Sequence, residues 1–240
     1  MQRYFTDKKN NNIFTLNEDD TYHITKVMRM NINDEIEVIY NNKLYISKII
    51  NINNVVEAEI IEEKEDNNEL SQEIILVQSL VKEQKMDYIL QKNTELGVSR
   101  IIPYSASRSI IKLNVSDYNK KIDRWNKITK EASEQSKRNS IPVVTNPLEI
   151  NELIKMDADI KILCTVNEKS KSLKNVLQNS KKCDKIIIVV GPEGGFTQEE
   201  EKKLIDNGYI STSLGTTVLR TETAGIFVVS SIRYSNMGWI

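Results

Sequence analysis

The chain has 240 residues, of which 39% are apolar and 28% are charged, and its 33 basic and 34 acidic side chains give a net charge of −1. This composition is typical of a globular protein with a sizeable apolar core, and the balanced charge excludes a chain that is basic throughout. Two cysteines without metal-ligand spacing and a single histidine argue against a zinc site. The amino terminus lacks the apolar segment of a signal peptide, and no apolar run approaches membrane-spanning length. We therefore expect a cytoplasmic protein with neither a metal nor a membrane partner.

Residues 1–68 are predicted to form a small β-rich module. Strands with alternating apolar residues are expected at residues 35–40, 44–52 and 55–61, joined by turns at Asn41-Asn42 and Asn53-Asn54. Before these strands, residues 23–30 are predicted as a short helix that carries Lys26 and Arg29. Several short strands with tight turns favour a small barrel, a shape often used to hold RNA. The polar stretch 62–69 has no apolar periodicity and is the predicted linker, with a boundary near residue 70.

Strands and helices alternate after this boundary, which favours an α/β domain with a mostly parallel sheet. Strands are predicted at residues 74–77, 100–103, 160–166 and 186–190. Helices are predicted at residues 85–96, 118–138, 173–178 and 225–234, with a further helix that starts at Asn146-Pro147. Gly97 is well placed to end the first helix, and Thr197 with Glu200 predicts a capping box at the start of another.

Two glycine-rich loops follow the last of these strands. Gly191-Pro192-Glu193-Gly194-Gly195 is one loop, and Leu214-Gly215 begins the second. Their spacing matches neither the dinucleotide fingerprint nor a phosphate loop, which needs Gly-Lys-Ser/Thr. Glycines that serve only tight turns are the alternative. Two such loops beside apolar strands favour a pocket in which backbone groups bind the polar edge of a small ligand and apolar side chains hold its flat ring, as for an adenine with an attached chain.

These loops also carry a family resemblance. Residues 191–196, followed by Leu214-Gly215 and residues 218–224, closely resemble the carboxyl-terminal signature of the 16S ribosomal RNA uracil-N3 methyltransferases. That family is the ribosomal small subunit methyltransferase E family of the SPOUT superfamily. Three further segments match it in the same order: residues 23–29, residues 87–97, and residues 131–136 with Arg138.

The resemblance implies an amino-terminal PUA-like β-barrel that binds RNA, at residues 1–68. It implies a carboxyl-terminal SPOUT α/β domain with a deep trefoil knot, at residues 72–240. It further implies S-adenosyl-L-methionine as cofactor, 16S rRNA or the 30S subunit as substrate, and a homodimer. The alternative function is a non-catalytic dimeric RNA-binding protein on a SPOUT scaffold. Intact glycine loops argue against that alternative, because a scaffold has no need of them.

Residue roles follow from the resemblance. The implied cofactor site comprises Cys164, Thr165, Gly191, Pro192, Glu193, Gly194, Gly195, Leu214, Gly215, Val218, Leu219, Arg220, Thr223 and Ala224. A β-carbon at the glycines would collide with the cofactor, and Cys164 is expected to pack rather than react. The candidates for RNA phosphate contacts are Arg3, Lys26, Arg29, Lys92, Arg108, Lys112 and Arg138. Arg220 is the candidate catalytic cation, and a structural ion pair with Glu222 or Glu193 is the alternative for it.

Overall fold

The computed structural model describes residues 1–66, 68–178 and 183–236. It contains two compact units, and the first combines Met1–Glu69 with the distant segment Ser133–Ser140. The second unit comprises Leu70–Ala132 and Ile141–Ile240. The sequence-based division instead assigned residues 133–140 to the second domain.

The first unit is built on a six-stranded mixed sheet. Its strands are β1 (Arg3–Phe5), β2 (Lys9–Asn10), β3 (Ile13–Thr15), β4 (Glu35–Tyr40), β5 (Lys43–Asn51) and β6 (Glu57–Lys64). Their order in the sheet is β1-β4-β5-β6-β3-β2, and the sheet curls so that the hydroxyl of Thr6, just after β1, donates to the carbonyl oxygen of Thr15 in β3. The apolar core of the unit includes Tyr4, Phe14 and Ile36. Asn41 and Asn42 both have positive φ, of 50° and 60°, which confirms the predicted tight turn between β4 and β5.

The helical segment of the first unit differs from the prediction. Helix α1 runs from Glu18 to Tyr22, and a π-helical turn follows over His23–Val27. The side chain of Asn17 caps α1, so the helix starts earlier than residue 23. The turn ends at Val27, three residues before the predicted end, and the left-handed backbone of Arg29, with φ of 54°, prevents the helical path from continuing.

The second unit is an α/β layer structure. Its elements are β7 (Glu73–Ser79), α2 (Glu83–Glu95), β8 (Arg100–Tyr104), α3 (Tyr118–Gln135), β9 (Val143–Val144), α4 (Ile150–Leu153), β10 (Ile160–Cys164), α5 (Leu173–Gln178), β11 (Lys185–Val190), α6 (Gln198–Asp206), β12 (Ile210–Thr212) and α7 (Thr221–Asn236). All six strands are parallel, in the order β12-β10-β11-β7-β8-β9. The parallel α/β sheet is confirmed.

Alternate residues of the central strands point to opposite faces of this sheet. In β11, Ile186 and Ile188 belong to one apolar cluster, while Ile187 and Val189 belong to another. The sheet is therefore buried on both faces, as parallel sheets are, and this explains the continuous apolar run of β11. Helix α7 packs against α2, β7 and β11.

Two helix ends were predicted correctly and one helix was not. Gly97 has φ of 99° just beyond α2, and the side chains of Thr197 and Glu200 form the predicted capping box of α6. Asn146-Pro147, in contrast, starts no helix. The next residue, Leu148, exchanges backbone hydrogen bonds with Pro103 and Ser105, which holds the segment along the end of β8. Helix α4 begins later, at Ile150, with Glu149 as its cap.

Candidate functional site

The strand register brings several carboxyl ends to one edge of the parallel sheet. Val190, the last residue of β11, pairs with Cys164 on one side and with Gln78 on the other, and Cys164 pairs with Thr212. The strand order reverses between β7 and β11: β8 and β9 lie on one side of this point, and β10, β11 and β12 lie on the other. Ligands of open α/β sheets bind at the carboxyl edge beside such a reversal.

A cavity of about 560 Å³ lies at this edge. Thirteen of the fourteen residues predicted for the cofactor site line it: Cys164, Thr165, Gly191, Pro192, Glu193, Gly194, Gly195, Leu214, Gly215, Val218, Leu219, Arg220 and Ala224. The fourteenth, Thr223, is exposed on α7 and is not among the lining residues. Arg108, predicted to contact RNA, also lines the cavity.

The glycines of the two loops serve different purposes. Gly195 and Gly215 have φ of 68° and 129°, and a β-carbon built on either one meets no atom of the protein within 4 Å. Both positions therefore favour glycine for their backbone conformation and face open space. A β-carbon at Gly191 would lie 2.8 Å from the ring of Phe196, so the expectation that this glycine makes room for a ligand is corrected: it makes room for Phe196.

The start of α7 fastens the first glycine loop to the sheet. The hydroxyl of Thr221 donates to the carbonyl oxygen of Gly191 at 2.6 Å and accepts from the side-chain amide of Gln78 at 3.0 Å. Because Gln78 is in β7 and Gly191 follows β11, one side chain joins two neighbouring strand ends. Sequence reasoning placed the start of this helix at residue 225 and so missed Thr221.

A second group of hydrogen bonds joins the first glycine loop to the segment after β8. Glu200 is buried, and its carboxylate accepts from the backbone amides of Thr197 and Ser107 and from the hydroxyl of Tyr104, each at 2.9 Å. Burial alone would raise the pKa of Glu200, but these three donors hold it below its usual range. Arg108 adds two bonds of 3.2 Å to the carbonyl oxygens of Gly194 and Phe196. The loop is thus held in place from both sides.

Two cations at the cavity, Lys85 and Arg220, differ in their ion pairs. Lys85, which sequence reasoning missed, lies 2.8 Å from Glu193 and 3.3 Å from Glu222. The hydrogen bond to Glu193 raises the pKa of Lys85, and Lys85 lowers the pKa of Glu193 although burial works in the other direction. The alternative role of Arg220, an ion pair with one of these two carboxylates, is therefore not observed. Arg220 is exposed, and in the described part of the chain its side chain has no ion-pair partner.

Cys164 has the packing role that was expected. Its side chain is buried at the end of β10, and burial raises the pKa of its thiol to about 12. A thiol that stays protonated at neutral pH is a poor nucleophile. Among residues 1–66, 68–178 and 183–236, no group of three or more histidine, cysteine, aspartate or glutamate side chains could hold a metal ion. The same residues include no helix long and apolar enough to cross a membrane.

Two of the predicted RNA contacts need correction. Arg3 is only 4% exposed, and its guanidinium is paired with Glu37 at 2.8 Å and Asp66 at 2.9 Å. Arg138 is equally buried and is paired with Glu69 at 2.7 Å. Both cations form ion pairs within the first unit, and their burial leaves them inaccessible to a nucleic acid.

The other predicted RNA contacts remain accessible to different degrees. Lys92 is half-buried and bonds Glu95 at 2.8 Å within its own helix. Lys26, Arg29 and Lys112 are exposed, and none of the three forms an ion pair with a residue that the structure describes. These three are free to contact phosphate.

Comparison with known proteins identifies the family. Residues 68–233 match the model of an RNA methyltransferase domain, and residues 16–61 match that of an RNA methyltransferase PUA domain. The chain is 34% identical over 249 residues to the ribosomal RNA small subunit methyltransferase E of Bacillus subtilis, an alignment that covers 98% of this chain and 96% of the relative. It is 32% identical to the protein of the same name from Mesomycoplasma hyopneumoniae, covering 96% and 98% of the two chains.

A solved structure agrees with these relatives. The ribosomal RNA small subunit methyltransferase E of Neisseria gonorrhoeae, bound to S-adenosyl methionine, superposes with a TM-score of 0.89 at 29% identity and covers 98% of this chain and 97% of its own. Relatives and structure match the chain over nearly its full length, in both units. The chain therefore belongs to the ribosomal RNA small subunit methyltransferase E family, whose members are RNA methyltransferases.

Proposed function

We propose that this chain transfers a methyl group from S-adenosyl-L-methionine to N3 of a specific uridine in 16S rRNA of the small ribosomal subunit. The observation that carries the proposal is the cavity at the carboxyl ends of β10, β11 and β12, with Gly195 and Gly215 facing its open space. A scaffold that only binds RNA has no use for such a cavity.

The lining residues fit the cofactor. The cavity volume of about 560 Å³ is within the usual range for ligand sites. Leu214, Val218 and Leu219 offer an apolar wall for the adenine ring, and the backbone at Gly195 can approach the ligand without a side chain between them. When bound, S-adenosyl-L-methionine supplies a methyl group on a sulfonium centre, so no metal and no thiol is needed for the transfer.

Arg220 is proposed as the catalytic cation. Uracil loses its N3 proton when the nitrogen is methylated, and the negative charge that develops is shared with the two neighbouring carbonyl oxygens. A guanidinium held near those oxygens stabilises that charge. Support comes from its place in the cavity lining and from Lys85, which pairs with the carboxylates that would otherwise neutralise Arg220.

The first unit is proposed to bind the RNA. Lys26 and Arg29 lie on its exposed surface within the PUA-like segment, and Lys112 lies on the second unit beyond β8. Each one can neutralise a phosphate charge, and such contacts fix the position of the RNA without reading its sequence. The substrate, 16S rRNA or the assembled 30S subunit, also supports a cytoplasmic location.

A homodimer is part of the proposal, and an exposed stripe of α7 supports it. Val228, Val229 and Ile232 are fully buried within the unit, so these residues are not available to a partner. Phe227 and Tyr234 point the other way and are 40% and 76% exposed. They line a shallow apolar depression between α5 and α7, and a second copy of the chain would cover it.

The deep trefoil knot is proposed for the same region. After β12 at the edge of the sheet, the chain returns to the end of β11, where α7 begins beside Gly191. Such a knot requires the chain to cross back over the ends of earlier strands in this way. Most folds contain no knot, because their chains do not pass through their own loops.

The test is a methylation assay on ribosomal RNA that lacks the modification. Purified protein is incubated with S-adenosyl-L-methionine and with either free 16S rRNA or 30S subunits from a strain without the gene. Mass spectrometry of the nucleosides should then show new 3-methyluridine. RNA binding without any methylated nucleoside would favour the alternative, a non-catalytic dimeric RNA-binding protein.

A further inference from the structure

Three carboxylates line the cavity, and two of them are already engaged. Glu193 is neutralised by Lys85 at 2.8 Å. Glu168 folds back on its own loop, where its Oε1 accepts hydrogen bonds from the backbone amides of residues 169–171 and from the hydroxyl of Ser170, at 2.7 to 3.1 Å. The Ser170 bonds in particular lower the pKa of Glu168 to about 2. Each of these two side chains has a local role that needs no ligand.

Glu201, the third carboxylate, is fixed in place but has no cation beside it. The hydroxyl of Thr165 donates to its Oε1, and the side-chain amide of Asn167 lies 3.0 Å from Oε1 and 3.1 Å from Oε2. These donors are neutral, so they orient the carboxylate without cancelling its charge. In the described part of the chain, no lysine or arginine nitrogen lies within 4.0 Å of it. A carboxylate can accept about four hydrogen bonds, so Oε2 still has room for a donor.

We propose that Glu201 binds the α-ammonium group of the amino-acid arm of S-adenosyl-L-methionine. This inference rests on the proposed function, since it assigns a contact within the same cofactor site. Glu201 is half-buried in the cavity wall, where a bare negative charge is costly and a ligand cation restores neutrality. The ribose hydroxyls and the adenine amino group are neutral donors and would leave that charge uncompensated. The ammonium group is therefore the complementary partner.

The experiment compares two ligands that differ in the arm. S-adenosylhomocysteine carries the ammonium group, and 5′-methylthioadenosine has the same adenosine part without it. Calorimetry at low salt should show that Glu201→Gln weakens S-adenosylhomocysteine binding by about tenfold, a typical loss for one charge-assisted hydrogen bond. Binding of 5′-methylthioadenosine should stay within about twofold of wild type, because this ligand lacks the ammonium group that Glu201 is proposed to bind. Its retention also shows that the variant is folded.

The matched control is Glu199→Gln. Glu199 is in the same first turn of α6, is exposed, and does not line the cavity, so its substitution changes the net charge equally without touching the site. It should leave both affinities unchanged.

The other outcomes are equally clear. If Glu201→Gln lowers the affinity for both ligands equally, Glu201 contacts the adenosine part and the proposal is wrong. If it lowers the affinity for neither ligand, the proposal is also wrong. A wild-type protein that binds neither ligand would overturn the proposed cofactor itself, which is a separate result.

Discussion

The hydroxyl of Thr221 lies 2.6 Å from the carbonyl oxygen of Gly191, and this bond joins the first residue of α7 to the first glycine loop. Replacing Thr221 by valine keeps the shape of the side chain but leaves the buried amide of Gln78 without this acceptor. We expect a loss of about 1–3 kcal/mol in the free energy of unfolding, together with weaker S-adenosylhomocysteine binding. Denaturant unfolding and calorimetry measure both. Thr221→Ser retains the hydroxyl and should behave like wild type. Losses in Thr221→Ser as large as those in Thr221→Val would show that the effect does not depend on the hydroxyl.

The open space at Gly195 is tested by a single added methyl group. Gly195→Ala puts a β-carbon into the cavity, and steric crowding of this kind costs about 1–3 kcal/mol. Affinity for S-adenosylhomocysteine should therefore fall about ten- to hundredfold. Gly208→Ala is the control, since Gly208 also has a positive φ, of 85°, but faces Lys161 and does not line the cavity. It imposes the same backbone strain and should leave the affinity unchanged. Equal affinities in the two variants would remove Gly195 from the site.

Arg220 should matter for the reaction more than for cofactor binding. Arg220→Gln removes the positive charge, and the loss of one such stabilising group lowers kcat by about a hundredfold. The affinity for S-adenosylhomocysteine should change little, because the charge develops on the uracil. Lys169→Gln removes another exposed cation that lines the cavity and serves as the control. Equal losses of kcat in the two variants would point to the general charge of the cavity instead of to Arg220.

Arg29 is expected to contact an RNA phosphate. Arg29→Asn removes the charge but keeps a residue that accepts a left-handed backbone, as Asn41 and Asn42 do in the same unit. RNA affinity should fall at low salt, and the plot of log affinity against log salt should become less steep by about 0.9. Lys8→Asn removes an exposed charge from the same unit and serves as the comparison. An unchanged slope in Arg29→Asn would place Arg29 outside the RNA surface.

Arg3 should matter for stability instead. Arg3→Met leaves Asp66 without this cation and Glu37 with Lys137 as its remaining cation. It also removes the donor to the carbonyl oxygen of Lys137 and to the side chain of Asn139, and losing a buried partner of this kind costs about 3–5 kcal/mol of unfolding free energy. Lys43→Met breaks the exposed pair with Glu63 in the same sheet and should leave the unfolding free energy almost unchanged, because water screens such a pair. Urea unfolding of the two variants checks this difference. An Arg3→Met protein as stable as wild type but deficient in RNA binding would restore Arg3 to the RNA candidates.

Local signals in the sequence predicted much of this structure. The start of α5 at Leu173, the capping box of Thr197 and Glu200, and the Asn41-Asn42 turn depend on neighbouring residues and were predicted correctly. The pattern of glycines after an apolar strand located the two loops, and the family resemblance supplied the list of cofactor-site residues, thirteen of which line the cavity.

Features that depend on distant residues were not predictable in this way. Nothing near Asn146 in the sequence shows that Leu148 will bond to the end of β8, and this pairing prevents the expected helix. Helix α3 stops at Gln135, short of Arg138, because Lys137 has φ of 60°. Arg138 is consequently free to pair with Glu69. The hydrogen bonds from Thr165 and Asn167 to Glu201 likewise join separate elements, and no local sequence pattern predicts them.

The membership of Ser133–Ser140 in the first unit has a consequence for synthesis of the chain. The guanidinium of Arg3 bonds the carbonyl oxygen of Lys137 and the side chain of Asn139, and the backbone amide of Asn139 bonds Glu69. Translation delivers residues 1–69 first, but these partners are synthesised only after β7, α2, β8 and α3. The amino-terminal unit therefore cannot reach its final state as soon as it emerges, unlike domains that fold one after another during synthesis. Its completion has to wait for the synthesis of Leu70–Ala132, the first segment of the second unit.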